Sequence, residues 1–557
     1  MRAFPLILCS LVLGLTACGG GDGGSGNTAS TGAGGGGGGG GGGTPPPPPQ
    51  VPLVYMGAST LATVSATNAG VLASNVMAAS AAVRVVGLVG GASLAAGQSK
   101  ACDSGSISSS GNVAADGTGT VSLSFNDCRV GADTLSGAAS MSIAGFNATN
   151  QAITDATVNI TRISFRGPSG NGDLTGTVRA QVPVPANSQP KIKTLTGNII
   201  TQDSTGRMTK AESLVLANVY DNALAPTFFN ETISGRVFDS VAGYVDVTTT
   251  TAPFTAPWGP LYFATSSQSF PDWGLINLAG APATTGGPAS QARVTALAID
   301  LAKIEVDADG NGIFENAARM RWIDFNTAIG ADLADSDGDG MHNSWETAMG
   351  LNPGDPSDAN GDADGDGFSN RTEYLDGTSA ATNGSVPSPV HMLWLTDARD
   401  LTYDATSGQI DVTVPGNVVP LDPVTRELGA PVPAAPPAAA DDSAGLTYTT
   451  SGEQRDATGT VLGTFAGVDP AQRNHNLVLP NATIGLVFYL TPSVTVGAPA
   501  GTWTLSSFRT NDRTLVASLD IRVSGEPGSL IRYGARGLAF RTDIGYVFLV
   551  ETSTLVP

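Results

Sequence analysis

The chain has 557 residues, with 27 Lys and Arg against 48 Asp and Glu, and a formal net charge of −21 at pH 7. So acidic a chain offers no basic face to a phosphate backbone, which excludes nucleic acid as a partner. Charged residues make up 13% and Gly numbers 72, a balance of extracellular β-proteins rather than cytosolic enzymes, and the length allows two or three domains, each with its own core.

Met1-Arg2 is a short basic start, and Phe4–Leu15 is an apolar run. The run is too short to span a bilayer and has the length of a signal-peptide core. Leu15-Thr-Ala-Cys18 follows and resembles the lipobox of bacterial lipoproteins. The resemblance implies a signal peptide over 1–17, cleavage before Cys18, and acylation of that cysteine at sulfur and amine. Several acyl chains, at about 0.8 kcal/mol per buried CH₂, anchor stably where one does not. The membrane is thus an expected partner, reached through the lipid on Cys18. Gly19 stands where an Asp would signal retention. By the sorting rule of Gram-negative lipoproteins this implies the outer membrane, on its periplasmic or its external face.

Residues 18–50 read as a tether. Residues 19–43 are almost all Gly, Ser, Thr and Ala, and Pro45–Pro49 follow. A Gly-rich coil of that length spans roughly 25–30 Å, and five prolines add a stiff spacer of about 15 Å. Such a composition cannot bury a core. Of the four cysteines, Cys9 falls in the expected signal core and Cys18 would, by the resemblance, take the lipid. Cys102 and Cys128 remain, and in an oxidising compartment they are expected to form a disulfide.

Residues 51–330 read as a β-rich domain with one packed helix. Asn68–Val83 is the helix, with Leu72, Val76, Ala79 and Val83 on one face. Strand-like alternation follows at Thr118–Phe125, Ala139–Ile143, Thr157–Phe165, Asp173–Val182, Thr196–Thr201, Glu212–Tyr220, Glu231–Val237 and Gly243–Thr249, punctuated by Gly, Asn, Asp and Pro. The spacing predicts a large, curved antiparallel sheet. Gly243–Thr249, Ala292–Ala296 and Ile304–Phe314 resemble a recurring β-rich domain of proteobacterial surface lipoproteins, which implies no activity. Asp307-Ala-Asp-Gly-Asn-Gly312 has the start of a cation loop, but Ala318 stands where a closing Glu would be. It reads as a hairpin turn in preference to a third full site.

Residues 331–380 carry the strongest signal. Asp335-Ser-Asp-Gly-Asp-Gly-Met-His-Asn-Ser-Trp-Glu346 is echoed 27 residues later by Asp362-Ala-Asp-Gly-Asp-Gly-Phe-Ser-Asn-Arg-Thr-Glu373. Each puts Asp at positions 1, 3 and 5 (Asp335, Asp337, Asp339; Asp362, Asp364, Asp366), Gly at 6, Asn at 9 and Glu at 12. A hard cation such as calcium takes about six to eight oxygens. Alternating Asp residues in a tight loop aim carboxylates at one point. The main-chain carbonyls of Met341 and Phe368 add an oxygen each, Asn343 and Asn370 add another directly or through water, and Glu346 and Glu373 close the cages. Residues 332–376 hold twelve acids against one base, Arg371, a density that requires a counter-cation to fold compactly. These loops resemble thrombospondin type 3-like, EF-hand-type calcium repeats of bacterial surface proteins, over Asp335–Ser379. Each loop is expected to lead into a short helix, Ser344–Met349 and Arg371–Leu375. Trp345, Leu351, Tyr374 and Leu375 are the expected local core, and His342 is expected to be an exposed loop residue and not a ligand.

Residues 381–557 return to β-patterning. Ala398–Val412, Asn417–Thr425 and Leu530–Thr542 resemble the opening and closing blades of a bacterial surface β-propeller. At about 40–45 residues per blade the segment allows at most about four, so a partial propeller or an irregular packing of sheets is expected. No zinc spacing involves His342, His391 or His475, and there is no nucleophile elbow or P-loop. The expectation is a mainly β, calcium-binding lipoprotein that is not an enzyme. In it calcium rigidifies a link between β domains, for adhesion to or binding of a surface glycan or protein. The alternative is a surface or periplasmic hydrolase of an extracellular polymer, using a carboxylate pair assembled from distant residues.

Overall fold

The computed structural model describes residues 51–89 and 102–551, less short stretches of which 183–191, 221–228, 250–259, 264–269, 434–445 and 494–501 are the longest. Cys18, the signal-like segment and the tether lie outside the described residues. The fold is mainly β, as expected. Three α-helices occur among the described residues, and none is long and apolar enough to cross a membrane.

The first β region is one antiparallel sheet of 14 strands. They are β1 (Ser104–Val113), β2 (Gly119–Val130), β3 (Asp133–Asn147), β4 (Ala152–Gly167), β5 (Gly170–Gln181), β6 (Ile192–Asp203), β7 (Met208–Tyr220), β8 (Phe229–Asp239), β9 (Gly243–Thr249), β10 (Leu261–Phe263), β11 (Gly274–Pro282), β12 (Ala289–Ala296), β13 (Leu301–Asp307) and β14 (Asn316–Arg321). Each strand pairs with the next, except that β11 joins β9 and β10 pairs with β8 off the path. Hairpin connections of this kind need only short turns, so sequence neighbours become sheet neighbours.

Helix α1 (Ala69–Val89) packs on β4–β8 and also touches β13. A helix can reach strands that far apart in order only if the sheet curls around it. Leu72, Val76, Ala79 and Val83 are all buried, as their spacing predicts. The helix runs six residues past Val83 and carries through Gly87. Arg84 stays inside by pairing Nε with Glu231 Oε2 at 2.9 Å. Asn75 Nδ2 donates to Asp239 Oδ2 at 2.9 Å, and Arg207 Nε donates to the same oxygen at 2.7 Å. These bonds tie the helix to the sheet rim.

The strands are longer than the sequence predicts. Gly137, outside the predicted strand Ala139–Ile143, and Gly176, inside the predicted strand Asp173–Val182, both lie within strands and stand beside the bulge of β4. Gly137 and Gly176 have φ of +134° and +132°. A Cβ at either would strike the neighbouring backbone, at Arg162 O and Asn198 O. The register of β4 shifts where it passes β3 and β5 near Arg162. Such bulges bend a strand and tighten its twist, which is how so long a sheet wraps one helix. Cys102 and Cys128 form a disulfide with an S–S distance of 2.08 Å, fixing the chain after α1 to β2.

The C-terminal region holds four small sheets. They comprise β15 (Val390–Trp394), β16 (Asp400–Asp404), β17 (Gln409–Val414), β18 (Asn417–Leu421), β19 (Val432–Pro433), β20 (Thr447–Tyr448), β21 (Glu453–Arg455), β22 (Val461–Thr464), β23 (Leu477–Asn481), β24 (Leu486–Pro492), β25 (Thr502–Arg509), β26 (Leu515–Arg522), β27 (Pro527–Tyr533), β28 (Gly537–Thr542) and β29 (Tyr546–Glu551). The sheets are β16–β19, β20–β22, β23–β26, and β15 with β27–β29. The first strand of the region therefore completes the last sheet, His391 pairing with Leu549. Adjacent sheets are stitched by Ser529 Oγ to Asp400 Oδ1 at 2.7 Å, Arg532 Nη1 to Asn481 Oδ1 at 2.9 Å, and Gln454 Nε2 to Thr510 O at 2.7 Å. The region is thus a succession of small antiparallel sheets, the last completed by the region's first strand.

Where α1 crosses β6, Gly197 faces Val83 so closely that a Cβ would overlap its Cγ2. Gly197→Ala is expected to lower stability by about 1–3 kcal/mol through overpacking. Val83→Ala opens the space, so the double variant should recover part of the loss in a denaturation cycle. Strictly additive losses would show that helix and sheet do not meet there.

Candidate metal centre

The two loops share one local architecture. Asp335 Oδ1 accepts the Gly338 N–H at 2.8 Å and its Oδ2 the Gly340 N–H at 2.9 Å. Asp337 Oδ1 accepts from Asp339 N at 3.3 Å, and Asp339 Oδ1 from Met341 N at 2.8 Å. The second loop repeats this at Asp362 (Gly365 N 2.7 Å, Gly367 N 2.9 Å), Asp364 (Asp366 N 3.2 Å) and Asp366 (Phe368 N 3.0 Å). The turn depends on Gly340 and Gly367, whose φ values of +92° and +98° lie in the left-handed region.

The loop hydrogen bonds use one oxygen of each later aspartate and leave the other. Asp337 Oδ2, Asp339 Oδ2, Asp364 Oδ2 and Asp366 Oδ2 are buried with no hydrogen-bond partner. So are both carboxylate oxygens of Glu346 and of Glu373, residues that are 0% exposed. Asp335, Asp337 and Asp339 each bring an oxygen to within 4.8 Å of the others, and Asp362, Asp364 and Asp366 do the same. Asp339, Glu346 and Asp358 form a further such group. Buried carboxylates without donors cost several kcal/mol each unless a cation or proton neutralises them. Every available side-chain atom is an oxygen, the donor set of a hard divalent cation such as calcium. The residues fit that group.

Burial, followed by the repulsion of Asp339, Asp337, Asp358 and Asp335, pushes Glu346 up to about 7. Burial and then Asp364, Asp366 and Asp362 do the same to Glu373, also to about 7. Asp339 is raised too, first by burial and then by its acidic neighbours.

The position-9 asparagines act as staples. Asn343 Oδ1 accepts the Ser336 N–H at 3.0 Å, and Asn370 Oδ1 accepts the Ala363 N–H at 3.0 Å. Each holds the loop's second residue from inside, so the orphaned carboxylates carry more of the ligand set than the repeat pattern implies.

Short helices leave each loop, α2 (Asn343–Met349) and α3 (Asn370–Asp376), stopped by Gly350 and Gly377 in the left-handed conformation. Met341, Trp345, Ala359, Tyr374 and Ala380 form the local core, with Leu351 and Leu375 packed against it. His342 departs from expectation. It is 0% exposed, with Nδ1 3.1 Å from Tyr374 Oη and Nε2 2.8 Å from Ile329 O. Burial lowers its pKa to about 4. A neutral imidazole satisfies one donor and one acceptor here, so His342 is an interior strut. Only its exclusion as a ligand fits the sequence reading.

The module is seated on both β regions. Tyr374 Oη accepts the Arg319 N–H of β14 at 2.8 Å, and Arg319 Nη1 donates to Leu375 O at 3.3 Å. The Arg319 guanidinium also donates to Thr425 O, after β18. Asp376 Oδ1 lies 3.3 Å from His391 Nδ1 of β15. Nothing in the local sequence marks Arg319, Asp376 or Asp358 for these roles.

Asp307-Gly312 forms the turn between β13 and β14, with the same hydrogen bonds: Gly310 N and Gly312 N to Asp307 at 2.7 and 2.9 Å, Asn311 N to Asp309 at 3.0 Å and Ile313 N to Asn311 at 2.7 Å. Glu315 adds a carboxylate to the group. Gln291 Nε2 also donates to Asp307 Oδ2 at 2.7 Å, so both oxygens of this buried residue are satisfied without a cation.

Comparison with known protein families and with curated proteins gives no match. Among solved structures, the WD40 domain of SCAP from fission yeast aligns at 8% identity over 80% of this chain and 94% of that one, with a TM-score of 0.13. At that score the likeness carries no argument about the fold.

The raised Glu346 and Glu373 set a pH dependence. Below about 7 each holds a proton in the cation-free fold, and a divalent cation must displace it. Calcium uptake at pH 6 is expected to release close to one proton per loop and at pH 8 almost none, with affinity falling as pH drops. Calorimetry in buffers of different ionisation enthalpy measures this; equal release at both pH values would contradict it.

Proposed function

We propose that residues 331–380 are a paired calcium centre that stiffens the joint between two β regions of a membrane-anchored surface lipoprotein. The observation that carries the reading is the repeated set of buried, unpartnered carboxylate oxygens at positions 3, 5 and 12 of both loops. Asp335, Asp337, Asp339 and Glu346 would hold one ion, and Asp362, Asp364, Asp366 and Glu373 the other. The main-chain carbonyls of Met341 and Phe368 are assigned as further oxygens by the loop pattern. Calcium supplies charge neutralisation and a shared oxygen shell.

The consequence is mechanical. The loops lead into α2 and α3; residues of α3 grip Arg319 on one side and His391 on the other, and Trp345 of α2 packs against Tyr374 of α3. Neutralising the loops fixes those helices and, through them, the two β regions. Extracellular calcium modules bind at roughly 10⁻⁴–10⁻³ M. At about 1 mM calcium each site then adds about 0.4–1.4 kcal/mol, enough to order a joint and too little to hold a domain together. The sequence of residues 1–50 supports a lipid anchor at Cys18, the outer membrane as location and a long tether. A calcium-stiffened body held away from a membrane suits adhesion to, or binding of, a surface glycan or protein.

Calorimetric titration of the chelator-stripped protein is expected to give two calcium sites. Glu346→Ala with Glu373→Ala should abolish or severely weaken both. Two sites of unchanged affinity in the double variant would sink the assignment.

A further inference from the structure

We propose that Asp358, which lies outside both twelve-residue loops, is a ligand of the first calcium site. The spacer between the loops is then part of that cage, and the two sites are unequal. The proposal rests on the calcium reading of the loops.

Asp358 opens the 3-10 turn Asp358–Asn360, in the stretch joining α2 to the second loop. Its Oδ2 accepts the Asn352 N–H at 2.9 Å, while its Oδ1 is buried without a partner. Oxygens of Asp339, Glu346 and Asp358 lie within 4.8 Å of one another. Glu346, fully buried with both oxygens unpartnered, belongs to the same cluster. Bringing one more carboxylate to such a cluster only adds repulsion unless a cation sits among them.

The backbone holds Asp358 there deliberately. Its carbonyl accepts the Gly361 N–H at 2.8 Å and Asn370 Nδ2 at 2.8 Å. The Asn370 N–H in turn donates to Gly361 O at 2.8 Å. Ala359, next in the chain, is buried in the module's core. Thus the position-9 asparagine of the second loop positions a carboxylate for the first.

Among the described residues the second loop has no counterpart. At the spacing that separates Asp335 from Asp358, the residue after Asp362 is Ser385. The first site therefore gathers carboxylates from Asp335, Asp337, Asp339, Glu346 and Asp358, and the second from Asp362, Asp364, Asp366 and Glu373. Calcium affinity is tuned by the number of charged ligands, so the first site fills first. Its filling also fixes the spacer on which the second loop rests.

The test is calorimetric calcium titration of the purified full chain and of Asp358→Asn, with Asp355→Asn as control. Asp355 is exposed and its carboxylate only caps Ser357. Thermal unfolding is recorded in chelator and in calcium. Asp358→Asn is expected to keep two sites while weakening one by about tenfold or more. Its unfolding temperature should fall in calcium and not in chelator. Asp355→Asn should move neither affinity by more than about twofold, since it removes only a surface cap. Both affinities intact in Asp358→Asn, or an equal loss of stability in chelator and calcium, would overturn the ligand role alone. A parent chain that takes up no calcium would overturn the reading of the loops as well.

Discussion

The module between the two β regions depends on one electrostatic constraint: its buried carboxylates have no donors of their own. Glu346 and Glu373 have neither oxygen satisfied, and they face aspartates whose free oxygens are equally orphaned. Main-chain N–H groups satisfy both oxygens of Asp335 and of Asp362 and so shape the loops. The later aspartates each keep one oxygen without a donor. A fold of this kind is stable only with protons or cations in the loops, and near neutral pH protons become scarce. The turn at Asp307 makes the contrast: it has the same backbone shape, but Gln291 completes its buried aspartate, and no such demand remains.

That constraint reaches well beyond the loops because of what α3 touches. Tyr374 stands at the centre, packed edge-on against Trp345 with centroids 5.1 Å apart, near His342, and bonded to the backbone of β14. Asp376, at the end of α3, faces His391 on β15, the strand that completes the last sheet. The sheet that curls around α1 and the last of the small sheets are thus both held by one seven-residue helix, α3. Helices so short have little stability of their own and rely on the loops that precede them.

The legible parts of this protein are the local ones. The ligand order of each loop, the glycines that turn it and the glycines that stop α2 and α3 all lie within a few residues, so spacing reveals them. The face of α1 was legible for the same reason. Strand lengths were not: Gly137 looks like punctuation in sequence and lies inside β3, beside the bulge of β4. Strand β1, rich in Ser and largely exposed at the sheet edge, lacks the alternation that marks a strand. Contacts between distant residues left no trace: His342 looked like loop surface and is buried under Tyr374, and the pairing of β15 with β29 joins the two ends of its region. Asp358 has no place in the loop pattern, and only its unpartnered oxygen brings it to notice.

The most direct test of the account is hydrogen exchange over 332–379, followed by mass spectrometry with and without about 1 mM calcium, the upper end of the extracellular affinity range. Calcium should slow exchange in the loops, α2 and α3, including the amides of Gly338, Gly340, Gly365 and Gly367 that donate to Asp335 and Asp362. The strands around α1 should be unaffected. Identical exchange in the two conditions would mean that the loops hold their shape without a cation, and the calcium-stiffened joint would have to be abandoned.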